Sequence, residues 1–328
     1  MTPLATRAKI GYFGKIPSRG DFIKATDNVA LITLLDNWLA QSMELLTSDP
    51  RWKILYDAAR PMHFAFIGPR SRRAIAGHLI ASSDQAQRRF PFLAMSAMDV
   101  DDPYEFVLRS PMILARLWNR LEVLSGAVVT APDASVPLQN LVMATIELEL
   151  NTPGYDAAFA DFLDLQTIGA LDALLAQSGF KGNARQLLIA LGLLLQPVMA
   201  SSSSRLEKSL VLPMPIDPMY RYLVATFWLH LITPFLRRAD FELALFFTLI
   251  DNRPSMVMGF GGASAHTLQA LLDPQIGAEH HIAFEDAEWV EDQLDTDYGV
   301  RKLSTYLSQS NLSLKSAHDS FREAFVGA

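Results

Sequence analysis

His63-Phe64-Ala65-Phe66-Ile67, Ala74-Ile75-Ala76-Gly77-His78-Leu79-Ile80-Ala81 and Phe92-Leu93-Ala94-Met95-Ser96-Ala97-Met98 are three short apolar segments separated by Gly, Pro, Ser and Arg. Apolar runs of this length, bounded by turn formers, read as consecutive strands. Upstream, residues 10–13 form another β-favouring run that ends at Gly14, and residues 15–22 have loop chemistry with Pro17 and Gly20. Between them, Leu31, Leu34, Leu35, Trp38, Leu45 and Leu46 share one side of a 3.6-residue wheel, with Asp27 or Asn28 as N-cap. An amphipathic helix is expected there.

Downstream the pattern turns helical. Asp102-Pro103-Tyr104-Glu105 supplies a cap, a proline at the first helical position and a Glu three residues after the cap. Ser110-Pro111 is expected to bend or restart that helix, Leu114, Leu117, Leu121 and Leu124 continue its apolar stripe, and Gly126 is expected to end it. Residues 125–137, with two prolines and small residues, mark a subdomain boundary. Residues 138–197 read as helical throughout, punctuated at Pro153-Gly154, Ser178-Gly179 and Gly182-Asn183. A loop at Ser201 to Ser204, a strand at 209–212 and a helix start at Asp217-Pro218 follow. Residues 241–250 and 255–260 read as a strand pair around Asn252-Arg253-Pro254, residues 263–272 as a helix stopped by Asp273-Pro274, and residues 284–326 as helical, with Leu314, Ala317, Phe321 and Phe325 facing the core.

Strands thus cluster apart from helices instead of alternating with them, which argues for an α+β fold over a doubly wound parallel sheet. The expected architecture is an N-terminal, mainly antiparallel sheet flanked by helices, followed by a helix-rich second lobe with a short strand pair. Its units are residues 1–130, 131–275 and an acidic helical tail, 276–328.

Composition narrows the function classes. The chain has 328 residues, 50% hydrophobic and 19% charged, enough for a packed core, and 28 Lys and Arg against 35 Asp and Glu give a net charge of -7. That balance offers no global footprint for nucleic acid. There is no cysteine, so disulfides, thiolate metal sites and a Cys nucleophile are excluded. Residues 187–200 and 222–236, the most apolar stretches, are shorter than the roughly 18–20 residues that span a bilayer. Met1 to Ile10 lacks the apolar core of a signal peptide, so export by that route is not expected. The charge is uneven: residues 1–100 hold 13 basic and 8 acidic side chains, whereas residues 285–297 hold seven carboxylates and no Lys or Arg.

Most reaction chemistry finds no foothold. Gly259-Phe260-Gly261-Gly262-Ala263-Ser264 follows a strand and opens a helix, where a phosphate could accept backbone N–H bonds, but it lacks the third glycine of a dinucleotide fingerprint and the Gly-Lys of a P-loop. A tight turn is the simpler role, and a small-ligand or nucleotide-binding protein using this turn is the alternative. None of the seven histidines (His63, His78, His230, His266, His280, His281, His318) forms the helical pair of a zinc site, and no Gly-x-Ser-x-Gly nucleophile turn occurs. Paired carboxylates such as Asp101-Asp102 or Glu147 and Glu149 are not distinguishable from helix caps and solvated faces. Arg19-Gly20-Asp21 matches an adhesion tripeptide, a reading that has no secretion signal behind it.

Two segments stand out: residues 11–22, where glycines, a proline and charges are packed between aromatics, and residues 77–92, where a strand runs into a small-residue turn, then Arg88 and Arg89, then another strand. Arg19 or Arg88 can pair with Asp21 or Asp84 to pin these loops, or the loops can bind a partner; the two roles are compatible.

At these residues the chain resembles the TagF family of type VI secretion-associated proteins. The family pattern Gly-aromatic-aromatic-Gly-Lys-Leu-Pro-Ser-Arg-Gly-Asp-Phe is matched from Gly11 to Phe22 with Ile16 in place of Leu. Its Asp-x-Trp-Leu element resembles Asp36-Asn37-Trp38-Leu39, and its Pro-Ser-x-Asp turn with Gly-Arg-aromatic-Phe-Pro resembles Ser82 to Pro91, where Ser82 replaces the Pro and Gln87 the Gly. The strong similarity spans residues 8–100, and residues 241–273 resemble, more weakly, the two-strand and helix ending of such proteins. The resemblance implies a cytoplasmic, non-enzymatic accessory protein without cofactor or metal. Such a protein would restrain type VI secretion after translation by binding the forkhead-associated-domain scaffold or a baseplate-linked component, with no nucleic acid and no membrane insertion. The residues expected to meet that partner are Gly14, Lys15, Pro17, Ser18, Arg19, Gly20, Asp21, Phe22, Ser83, Asp84, Arg88 and Pro91. A basic loop of Lys15 and Arg19 beside a sheet edge would suit an acidic or phosphorylated partner.

Overall fold

The computed structural model describes residues 6–26, 28–150, 153–200, 206–237, 240–294 and 297–327. The N-terminal third comprises β1 (Thr6–Ala8), β2 (Gly11–Gly14), β3 (Ile23–Ala25), α1 (Val29–Thr47), α2 (Trp52–Asp57), β4 (Met62–Ile67), β5 (Arg73–Ile80) and β6 (Phe92–Asp99). A helical stretch follows: α3 (Pro103–Thr130), α4 (Ser135–Met143), the short β7 (Ile146–Leu148), α5 (Pro153–Leu165), α6 (Ile168–Gln177) and α7 (Ala184–Ala200). The chain continues with β8 (Ser209–Pro213), α8 (Pro218–Ile232), β9 (Leu243–Ile250), β10 (Arg253–Gly259), α9 (Ala265–Leu272), α10 (Pro274–His280) and β11 (His281–Ile282). It closes with α11 (Tyr298–Leu307) and α12 (Leu314–Phe325).

Nine strands form one sheet in the order β11-β8-β10-β9-β4-β5-β6-β2-β3, antiparallel except for the β11–β8 pair. The fold is α+β. The strand pair of the second lobe, β9 and β10, turns through Asp251 and Asn252, both at positive φ, which suits the twist of a two-residue hairpin. It joins the N-terminal strands through β4, with His63 opposite Phe247 and Ile67 opposite Leu243. The proposed units 1–130, 131–275 and 276–328 therefore share one sheet, through the β4–β9 and β8–β11 ladders.

The strands read as unbroken apolar runs because helices cover both faces. Phe64 and Phe66 of β4 and Phe246 of β9 pack with Leu35, Trp38 and Leu39 of α1 and Leu268 of α9. Ala65, Ile67 and Leu245, one residue out of phase, join the opposite core with Leu114, Leu117 and Trp118 of α3 and Trp228 of α8. Each large side chain so buried contributes about 1.5–3 kcal/mol. Buried Trp indoles are also satisfied: Trp118 Nε1 donates to the Phe64 carbonyl at 3.0 Å and Trp228 Nε1 to that of Pro213 at 3.0 Å.

Helix starts fall where the capping residues stand. Asn28 Oδ1 accepts from the Leu31 amide at 3.0 Å, Asp102 Oδ1 from Glu105 at 3.2 Å and Asp217 Oδ1 from Met219 at 2.9 Å; Asp27, the other cap candidate, and the Ser201 to Ser204 loop lie outside the described residues. Three expectations need correction. Helix α3 neither restarts at Pro111 nor ends at Gly126, but runs on to Thr130. Pro111 lacks the N–H that would reach the Val107 carbonyl, and Ser110 Oγ donates there instead at 2.9 Å, keeping the turn satisfied. Residues 138–197 are not helical throughout, because Ile146 to Leu148 form a strand paired antiparallel with β1. Among the described residues no helix is long and apolar enough to cross a membrane.

Candidate functional site

The site grows from the end of β2. Gly14 sits opposite Phe92 of β6 with φ +130°, and a Cβ on it would lie 2.0 Å from the Pro91 carbonyl oxygen. Only glycine lets the two strands close to that distance at that backbone angle. The close approach turns the chain over the end of the sheet, and Lys15, next in sequence, points inward and is buried.

Asp84, at the centre of the second loop, has no exposed surface and accepts four hydrogen bonds. Its Oδ1 takes the amides of Ala86 at 3.0 Å and Arg88 at 2.9 Å, and its Oδ2 takes Lys15 Nζ at 3.0 Å and Arg88 Nε at 2.7 Å. Burial pushes the Asp84 carboxyl up, but the Arg88 amide, Lys15 and the Arg88 guanidinium outweigh it and hold the group down at about 2. The remaining arm of Arg88 reaches the Gly20 carbonyl at 2.7 Å, and the Gln85 amide donates to the Arg19 carbonyl at 2.8 Å. One carboxylate thus fixes both loops to each other. Within the turn Gln87 adopts φ +61°, the left-handed conformation that glycine takes without cost.

Aromatic rings complete the junction. Phe22 stacks on Phe13 with centroids 5.7 Å apart and meets the edge of Phe90 at 4.8 Å, while Lys15 Nζ lies 4.8 Å from its ring centre. Phe22 nevertheless keeps 47% of its surface exposed. Arg19 turns away from Asp21 toward the start of α4, with NH2 2.8 Å from Ser135 Oγ and 3.6 Å from Asp133. Ser135 and then Arg19 hold the Asp133 carboxyl below its usual range.

The structure therefore brings the twelve expected residues to one place and sorts them. Pro17, Gly20, Asp21, Phe22 and Arg88 are exposed, Ser18, Arg19 and Ser83 are half-buried, and Gly14, Lys15, Asp84 and Pro91 are buried. Lys15, Arg19 and Arg88 are each paired within the chain, so the basic loop read from the sequence holds no unpaired cation among these three. Phe13, Phe90, Asp133 and Ser135 also build the site, and sequence reading did not single them out. The two phenylalanines stood inside the quoted segments, whereas nothing in the sequence tied residues 133–135 to Arg19. The site lies at the end of the sheet, beside its edge strand β3.

The glycine turn at 259–264 is already committed. The Gly262 amide donates to the Glu242 carbonyl at 2.6 Å, the Ser264 amide to that of Gly262 at 2.7 Å, and the Ser264 carbonyl accepts Trp38 Nε1 at 3.2 Å. The Glu242 side chain lies against the turn, its Cβ 3.0 Å from where a Cβ on Gly262 would be. With those amides occupied and a carboxyl alongside, the turn fits a structural role and not a phosphate cradle. Among the described residues no group of three or more His, Asp or Glu is placed to hold a metal ion.

Residues 11–144 match the model of the TagF N-terminal domain, type VI secretion system-associated. The match takes in both loops and continues past residue 100 through Asp133 and Ser135, the partners of Arg19; it does not extend to residues 241–273. Among solved structures, the chain is similar to PA0076 from Pseudomonas aeruginosa PAO1, with 22% identity, coverage of 45% of this chain and 74% of that one, and a TM-score of 0.35. Among curated proteins, none matches this chain.

Proposed function

We propose, from the match of residues 11–144 to the TagF N-terminal domain, type VI secretion system-associated, that this chain is a non-enzymatic accessory protein that restrains type VI secretion after translation. It does so by binding a component of the machinery, the forkhead-associated-domain scaffold or a baseplate-linked protein, in the cytoplasm. The observation that supports this most is the joining of residues 14–22 and 83–91 around Asp84 by hydrogen bonds. A loop pair pinned by a buried carboxylate is pre-organised, so little ordering entropy is lost when a partner docks. Phe22 supplies an aromatic anchor, and Pro17, Gly20 and Asp21 supply a relief around it. Because Lys15 and Arg88 are spent on Asp84, recognition rests on shape and on Phe22 more than on capture of a phosphate.

Co-purification of the forkhead-associated scaffold with the native chain, Phe22→Ala, Asp21→Lys and Arg19→Ala tests this reading. The native chain retains the scaffold, Phe22→Ala and Asp21→Lys lose at least tenfold in affinity while staying folded, and Arg19→Ala weakens binding by freeing the loop from α4. Retention by none of the proteins, or equal retention by all four, refutes it.

A further inference from the structure

Away from the loop pair, a cavity of about 550 Å³ opens between the end of α2, the β9–β10 hairpin, α10 and the segment after β11. That volume falls in the range of sites that enclose a small organic ligand. Its walls are mostly apolar, with Leu55, Val211, Met214, Leu271 and Phe284 among them. Polar side chains interrupt it, Asp251, Arg253 and Glu285 among them, and two others, His281 and Arg60, bear on what could bind. His281 has its Nδ1 turned toward Gly277, where a Cβ would lie 3.3 Å away, while its Nε2 is buried without a hydrogen-bond partner. That nitrogen has no surface open to the cavity, so it offers a ligand no hydrogen bond.

The second feature is Arg60. Arg253, also on the wall, is paired with both Glu285 and, at 3.5 Å, Asp251. Arg60 instead bonds only the neutral Asn252 amide oxygen, at 3.2 Å, and has no carboxylate partner among the described residues. A largely apolar trough with one guanidinium that pairs with no carboxylate suits a ligand with an apolar body and a single anionic head. We propose that this cavity is a binding site for an apolar monocarboxylate, such as a medium-chain aliphatic acid, whose head pairs with Arg60 while its body fills the trough beside His281. Burial and the neighbouring His280 hold His281 down at about 4, so its ring is neutral at pH 7 and does not compete with Arg60 for the charge.

Calorimetric titration of the full chain with decanoate and with decan-1-ol tests the assignment. The acid binds saturably, one per chain, at least tenfold more tightly than the alcohol. Arg60 is exposed, so Arg60→Gln leaves the fold intact and removes that tenfold preference while leaving alcohol binding unchanged. Leu249→Glu, at a half-exposed wall position, weakens both ligands and the acid more. Absence of saturable binding of decanoate to the folded chain, equal affinity for acid and alcohol, or an unchanged preference in Arg60→Gln would each overturn the proposal.

Discussion

Replacing Gly14 by alanine adds one methyl group at the point where β2 turns into the site. An L-residue at φ +130° occupies a sparsely populated region, at a cost on the order of 1–3 kcal/mol. The added Cβ would also lie 2.0 Å from the Pro91 oxygen and 2.9 Å from the Phe92 Cα, both backbone atoms that no rotamer change can move. Separating them requires β2 and β6 to part by about 1 Å, an overpacking cost of roughly 1–3 kcal/mol. Together the two effects predict a loss of about 2–6 kcal/mol. With an unfolding entropy of about 2.1 cal/mol/K per residue, that is a fall of roughly 3–9 °C in melting temperature for a chain unfolding as one unit. The same substitution at Gly126 serves as the control. It lies inside α3 with nothing within 4 Å of the added Cβ, and Gly126→Ala should stabilise by about 0.5–1 kcal/mol through helix propensity. Urea denaturation of both variants at constant m reads the two signs. A Gly14→Ala protein within about 0.5 kcal/mol of native would refute the reasoning that the Gly14–Pro91 contact sets the loop.

Other outcomes follow from the same geometry. Gln87→Gly relieves a left-handed non-glycine residue and should raise stability by about 1 kcal/mol, measured by the urea midpoint. Lys15→Met removes one of two cations on Asp84 and should lower the melting temperature and raise the Asp84 pKa, followed by carboxyl carbon NMR. Acid should act in two stages. Burial holds His63 and His230 at about 3 and His78 and His281 at about 4, so the unfolded chain binds protons that the folded one does not. Stability therefore falls as pH drops from 6.5 toward 4 and 3, and Asp84 adds a further loss between 3.8 and about 2. His230→Phe, in a pocket beside Phe159, should flatten the first stage in urea midpoints taken from pH 7 to 4.5.

The central strands were legible because helices bury both sheet faces, which writes them as uninterrupted apolar runs such as residues 63–67. Local chemistry also placed Asn28, Asp102 and Asp217 correctly as caps. The misreadings share a different cause. Gly126 stops a helix only where the chain then turns left-handed; its carbonyl accepts Thr130 Oγ1 at 2.8 Å and the helix continues. Strand β7 is three residues long, and its partner β1 lies at the other end of the N-terminal unit, so no local window contains the pair. The site shows the same division. Its two loops were visible as segments, but Lys15 looked like a surface cation because Asp84, which draws it inward, is 69 residues away.

If residues 14–22 and 83–91 form one partner-binding surface, a bound partner covers both loops together. Amide hydrogen exchange of the full chain, alone and with the forkhead-associated scaffold, tests it most directly. New protection is expected in residues 17–25 and 83–90, with the acidic segment 285–294 and the helices after residue 150 unchanged. Binding that protects those later segments and leaves both loops as they were would contradict it.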